Sequence, residues 1–169
     1  MHCFRELGPT EWVYRYSAVM IDRTSTVSLR VVNDDNVRQV IDLSVSAEQE
    51  DFVAPNAISL AQAFATTMVW VRAVYADDTP VGFAMLSDNE EKPRYYLWRF
   101  MIDSQYQGMG FGNHAMSLIH DYVRSRPGGV KMYLSYVPQD GGPEPFYKAL
   151  GYQDTGVEHG GELEAVLTL

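Results

Sequence analysis

The chain has 169 residues, 46% of them hydrophobic and 21% charged, enough to enclose one core in a single domain. Its formal net charge of −9 at pH 7 excludes a general nucleic-acid surface, which needs clustered Lys and Arg; it suits cationic partners such as amines, and equally plain solubility. The single cysteine, Cys3, excludes an internal disulfide and a cysteine-built zinc site, and fits a reducing cytoplasm.

The N-terminal stretch MHCFRELGPTEWVYRYSAVMID is interrupted by Arg, Glu and Pro and lacks the apolar segment of a secretory signal. No run approaches the ~20 apolar residues of a membrane span. Residues 1–27 are therefore expected to be an extension, either a docking segment or an overlong start with Met20 as the alternative beginning. Residues 28–32, SLRVV, suit a first strand, and Asn33-Asp34-Asp35 offers a helix cap. Val37, Val40 and Ile41 follow at helical spacing, predicting a helix that runs to about Asp51. Pro55-Asn56 breaks it, and a second short helix is expected from Ser59 to about Thr66. Val69 to Tyr75 and Val81 to Leu86 read as a hairpin around the turn at 76–80.

After the polar loop 88–93, Tyr95 to Ile102 predicts an aromatic-rich strand. Phe111, Ala115, Leu118, Ile119 and Tyr122 mark one face of the next helix, ended by Pro127-Gly128-Gly129. Val130 to Val137 is a strand, Pro145 to Leu150 a short helix with Gly151 in the capping position, and Gly161 to Leu169 a last strand. The order β-α-α-β-β-β-α-β-α-β in one domain predicts an α/β (α+β) architecture, a mixed sheet with helices on both faces.

Between strand and helix lie three glycines at alternate positions, Gly108, Gly110 and Gly112. A dinucleotide fingerprint would need glycine where Asn113 stands, and a P-loop would need a following G-K-[ST]. What remains is a glycine-rich turn opening a helix. Without Cβ atoms a phosphate can reach the outward-pointing N–H groups there; a tight packing turn is the equal alternative.

Gln107-Gly-Met-Gly110-Phe-Gly112 fits the Q/R-x-x-G-x-G/A signature of the GNAT superfamily of N-acetyltransferases. LWRFMIDSQYQGMGFG and AEQEDFVAPNAISLAQA (47–63) resemble its bacterial spermine/spermidine (diamine) acetyltransferase branch. TPVGFAML (79–86) and PFYKALGY (145–152) resemble two further family motifs. The resemblance covers about residues 28–169. It implies a mostly antiparallel sheet with a splayed central strand pair, acetyl-CoA as cosubstrate without a metal, and acetyl transfer to a primary amine of the polyamine or diamine type; the alternatives are another amine (an aminoglycoside, an amino-acid derivative or a protein N-terminus) or a CoA-binding module without catalysis. It also carries the expectation of a homodimer, of a cytoplasmic setting, and of neither a nucleic-acid nor a membrane partner. Family loops often carry Lys or Arg where this chain has Met109 and Asn113, so the cradle here relies on backbone N–H groups.

By the same resemblance, Gln107, Gly108, Met109, Gly110, Phe111 and Gly112 hold the diphosphate of CoA, and Asp140 replaces the frequent Asn of the later loop. Main-chain groups of Phe100, Met101 and Ile102 bind the pantetheine arm like an added strand. Tyr147 matches the family's tyrosine, which both touches the cofactor and serves as general acid to the leaving thiolate; a phenol of pKa about 10 is protonated at pH 7. Glu50 is the candidate general base. Glu48 and Asp51, three apart on one helical face, border the acceptor site. Each of these carboxylates either takes the proton, holds a second ammonium, or solvates a helix face. Tyr96 and Trp98 are candidate walls of an amine channel, since aromatic faces attract cations, and alternation places both opposite Tyr95. His114 and His120 are expected to be surface or packing residues.

Overall fold

The β-rich runs on either side of the 76–80 turn pair as expected, and the rest of the sheet grows from that hairpin. The structure, a computed structural model, describes residues 21–91 and 94–169. Seven strands form one sheet: β1 (Val27–Val31), β2 (Val69–Ala76), β3 (Thr79–Ser87), β4 (Tyr95–Ile102), β5 (Lys131–Tyr136), β6 (Gln153–His159) and β7 (Glu162–Thr168). Their spatial order is β1-β2-β3-β4-β5-β7-β6. Every pairing is antiparallel except that of β4 with β5.

Helix α3 (Phe111–Arg124) covers one face of the sheet. Its buried residues Met116, Ile119 and Val123 join Leu86, Leu97, Met132 and Leu134 in the largest core cluster. Helices α1 (Val37–Asp42) and α2 (Asn56–Phe64) cover the other face, where Val40 and Leu60 meet Phe83, Met85 and Met101. The fourth helix, α4 (Glu144–Ala149), ends on Gly151 at φ +94, the left-handed conformation that a C-terminal cap favours. Among the described residues no helix is long and apolar enough to cross a membrane.

Three expectations are corrected. The helix predicted from Val37 to Asp51 stops at Asp42, and a separate 3₁₀ segment occupies Ala47–Phe52. The break has a cause far away in sequence. Buried Asp103, just past β4, accepts the N–H of Ser44 through Oδ2 at 2.9 Å and that of Gln105 through Oδ1 at 2.9 Å, while the Ser104 N–H donates to the Ser44 carbonyl. Two backbone bonds to a distant loop hold residue 44 outside the helix. Second, the cap of α1 is Asn36 rather than the 33–35 run; Asn33 instead accepts the Asp35 N–H in a local turn. Third, β6 was not expected. All seven of its residues are exposed, so no apolar alternation marks it, and its register against β7 shifts between Asp154 and Glu158.

The first strand begins at Val27, and Ile21 packs against the cluster formed by Val74, Val81 and Phe111, so the described end of the extension already belongs to the domain's packing. The expectations for Cys3 and Met20 fall outside the described residues.

His120 is buried on α3, where its Nε2 lies 3.0 Å from the Tyr152 hydroxyl, a packing role as expected. Burial, reinforced by Arg124, pushes its imidazole down to about 4 from an ordinary 6.5. Below about pH 6.5 the unfolded chain takes up a proton that the folded one refuses, so this contribution is complete above that pH. It falls by about 1.4 kcal/mol per unit as pH drops toward 4. His120→Gln should flatten this acid limb in denaturant titrations run from pH 7 to 4; an unchanged limb would place the acid sensitivity elsewhere. Asp103→Ala should cost about 2 kcal/mol, read as a lowered denaturant midpoint at constant slope. A wild-type midpoint would mean that the α1 turn is held by other contacts.

Candidate active site

Strands β4 and β5 pair only over Tyr95–Leu97 with Met132–Leu134. Beyond Leu97, β4 continues to Ile102 while β5 runs on beside β7, and the two part. At the same point β4 carries an extra residue: Met85 faces Arg99 and Leu86 faces Leu97, so Trp98 has no partner on β3. Such a bulge bends a strand and reverses its alternation. Tyr95, Leu97 and Phe100 pack on the α3 face, whereas Trp98 and Met101 pack on the α1–α2 face. Arg99, which strict alternation would send toward α3, instead reaches Gln62 of α2 with Nη2 at 3.2 Å.

The parting opens a cleft of about 1070 Å³. One wall is the far half of β4, with Phe100, Met101 and Ile102. Their side chains serve the core: Phe100 stacks on Phe146 at 6.0 Å, and Met101 and Ile102 are buried. Their main-chain groups on the cleft side have no strand beside them.

The glycine stretch stands at one end. Gly108, Gly110, Phe111, Gly112 and Asn113 line the cleft; Met109 does not and packs against the cluster beneath. The three glycines do different work. Gly108 (φ +74) and Gly110 (φ +92) hold left-handed backbone that L side chains adopt with strain. Gly112 lies inside α3, where an added Cβ would stand 3.4 Å from the Phe146 ring. Among the described residues no acceptor takes the N–H groups of Phe111, Gly112 or Asn113, so they face the opening with the positive end of the α3 dipole. Gln107 braces the loop: both its amide protons are engaged, with the Ile102 carbonyl at 2.9 Å and Gln49 Oε1 at 2.8 Å. The loop also gains a cation that sequence reasoning left in the extension. Arg23 donates through Nη2 to the Gly108 carbonyl at 3.1 Å. Asp140 is exposed and stands outside the wall formed by Gly141, Gly142 and Pro143.

Tyr147 of α4 enters the cleft wall within an aromatic nest, 6.2 Å from Tyr136 and 5.8 Å from Tyr152 between ring centroids. Burial holds its phenol well above the ordinary range. The nest assigns its protons unequally. Tyr136 donates to Asp154 Oδ1 at 2.6 Å and, through burial and that bond, is pushed up to about 12. Tyr152 is engaged with His120. The Tyr147 hydroxyl makes no hydrogen bond among the described residues, leaving it free to donate into the cleft.

The wall also carries Glu50, Asp51, Trp98, Arg99, Tyr96 and Glu162. Glu48 is exposed and does not line it. Tyr96 donates to Ser135 Oγ at 2.7 Å, and Ser135 donates to Glu162. Sequence reasoning missed Ser135, Glu162 and Arg99. The first two come from strands whose adjacency only the sheet order reveals, and the third is displaced by a bulge that leaves no sequence signal.

A model of the Acetyltransferase (GNAT) family matches residues 27–152. A spermine/spermidine N(1)-acetyltransferase of Bacillus subtilis (strain 168) is 26% identical over 137 residues, covering 78% of this chain and 90% of that protein. Among solved structures, an acetyltransferase from Thermus thermophilus superimposes with a TM-score of 0.64 at 18% identity, over 85% of this chain and 97% of the other. The PaiA N-acetyltransferase from Thermoplasma acidophilum, solved in complex with coenzyme A, gives 0.65 at 13% identity, over 85% and 99%.

Proposed function

The chain belongs to the GNAT acetyltransferase family, and from that premise we propose that it moves the acetyl group of acetyl-CoA to a primary amine of the polyamine or diamine type, by direct attack. The observation that carries this reading is the arrangement along one cleft. Unpaired N–H groups, an open strand edge, a free phenol and three carboxylates line the same opening.

In this reading the diphosphate sits against the N–H groups at the start of α3, where a helix terminus favours an anion. Arg23 supplies the charge that Met109 and Asn113 do not. The pantetheine arm lies along the unpaired edge of β4, and N–H groups of that edge polarise the thioester oxygen. The amine attacks the carbonyl carbon, and Tyr147 gives its proton to the departing sulfur. A phenol whose burial keeps it protonated, and which has no other acceptor, suits that role.

Three carboxylates, Glu50, Asp51 and Glu162, line the cleft against one guanidinium, Arg99. That balance suits an acceptor with more than one ammonium, and the relative from Bacillus subtilis named for spermine and spermidine supports the same class. Arg99 favours a second reading, an amine that also bears an anionic group such as an amino-acid derivative. Its Nε is buried without a partner and is the one cationic group lining the cleft among the described residues.

A thiol-release assay against spermine, spermidine, putrescine and a panel of amino acids should show turnover with the polyamines. Turnover with amino acids alone would replace the first reading with the second, and acetyl-CoA binding without transfer would leave a cofactor-binding domain. Tyr147→Phe should lower kcat about 100-fold while calorimetric binding of acetyl-CoA stays near wild type. Unimpaired turnover would remove the acid role.

A further inference from the structure

Amide formation from an ammonium and a thioester yields amide, thiol and one free proton. The nitrogen gives up two protons: one restores Tyr147 after it has protonated the sulfur, and the other, the free proton, needs its own way out. Three side chains on three neighbouring strands form a continuous donor sequence on the α1–α2 face of the sheet. Tyr96 Oη donates to Ser135 Oγ at 2.7 Å, and Ser135 Oγ donates to Glu162 Oε2. All three line the cleft. The register explains the meeting. Tyr96 and Tyr133 are partners across β4 and β5, Ser135 lies two residues on along the same face of β5, and Glu162 stands one residue before Leu163, the cross-strand partner of Tyr136. Tyr96 is half-buried, whereas Glu162 is exposed, so the sequence of hydroxyls leads from the cleft interior to solvent.

We propose that Tyr96, Ser135 and Glu162 form the proton exit of the acetyl-transfer reaction, with Glu162 as its terminal acceptor. The Tyr96 oxygen, its own proton committed to Ser135, has a lone pair left to accept a hydrogen bond from the incoming nitrogen. As the nitrogen loses its proton, one N–H bond breaks and one O–H bond forms at Tyr96. The phenolic proton moves to Ser135, the hydroxyl proton of Ser135 moves to Glu162, and Glu162 releases it to water. Each hydroxyl loses one proton and gains one. This places the base at the far end of a hydroxyl pair on β4, β5 and β7 rather than at Glu50 of the 3₁₀ segment. Tyr96 is the catalytic residue; Ser135 and Glu162 act through it.

The charged groups around the pathway come from every neighbouring strand. Arg99 on β4 faces Glu162, and Arg94 pairs with Glu164 and lies 5.9 Å from the Tyr96 ring. His159 on β6 is the cross-strand partner of Glu162, and Glu50 and Asp51 line the same cleft.

The relay rests on acetyl transfer to an amine and holds for whichever amine the panel selects, so a failed polyamine assignment changes the acceptor and leaves this test intact. The experiment is kcat and kcat/KM from pH 6 to 10 for the whole chain carrying Ser135→Ala, Ser135→Thr or Glu162→Gln. At pH 7, Ser135→Ala and Glu162→Gln should each lose about 100-fold in kcat with KM for acetyl-CoA unchanged. The deficit should shrink toward pH 10 as the free amine becomes abundant, and Ser135→Thr should restore most of the rate. A deficit equal at every pH, or a rise in amine KM alone, would make these residues structural or substrate-holding and overturn the relay. Wild-type rates in both variants would overturn it too. No turnover with any amine would overturn the acetyl-transfer reading itself.

Discussion

The site depends on a single constraint: β4 and β5 are parallel neighbours for three residues and then part. A parallel pair must satisfy its inter-strand bonds or give them to something else, and here the far half of β4 leaves an edge in the middle of a sheet. The bulge at Trp98 falls at the residue where pairing ends. It bends the strand and turns Trp98 and Arg99 to the same face. Core packing keeps the opening from closing, since Phe100 is held by Phe146 from one side and Met101 by the α1–α2 face from the other. The edge is therefore a rigid feature of the sheet rather than a loop that waits for a partner.

Groups of opposite electrical character line the cleft that this geometry opens. The α3 start offers backbone N–H groups and the positive end of a helix dipole, with Arg23 behind it. The lining also includes carboxylates from the 3₁₀ segment and from β7. Asp103 ties two parts of the lining together: it fixes the turn after α1 that leads to Glu50 and Asp51, and it caps the residues that lead into Gln107 and the glycine loop.

Much of the fold was legible because its signals are local. The β2–β3 hairpin, the apolar stripe of α3 and the Gly151 cap are written in contiguous residues, and each stands where periodicity and turn chemistry put it. The break in the first helix was not legible, because Ser44 is held by a side chain 59 residues away. Nor was β6, which is an exposed edge strand and has no buried face to impose a pattern. At the cleft, the glycines and Tyr147 could be singled out from motifs. Ser135, Glu162 and Arg99 could not, since their placement depends on strand order and on one unpaired residue.

By itself, then, the sequence determined the domain's class, most of its elements and the loop that opens α3. Helical and strand periods, glycine's freedom at positive φ and turn chemistry act over a few residues. Tertiary structure alone decided where the strands part, which tyrosine of the nest keeps a free proton, and which side chains meet Tyr96 in the cleft. Those outcomes depend on neighbours tens of residues apart, whose contacts exist only once the sheet has formed.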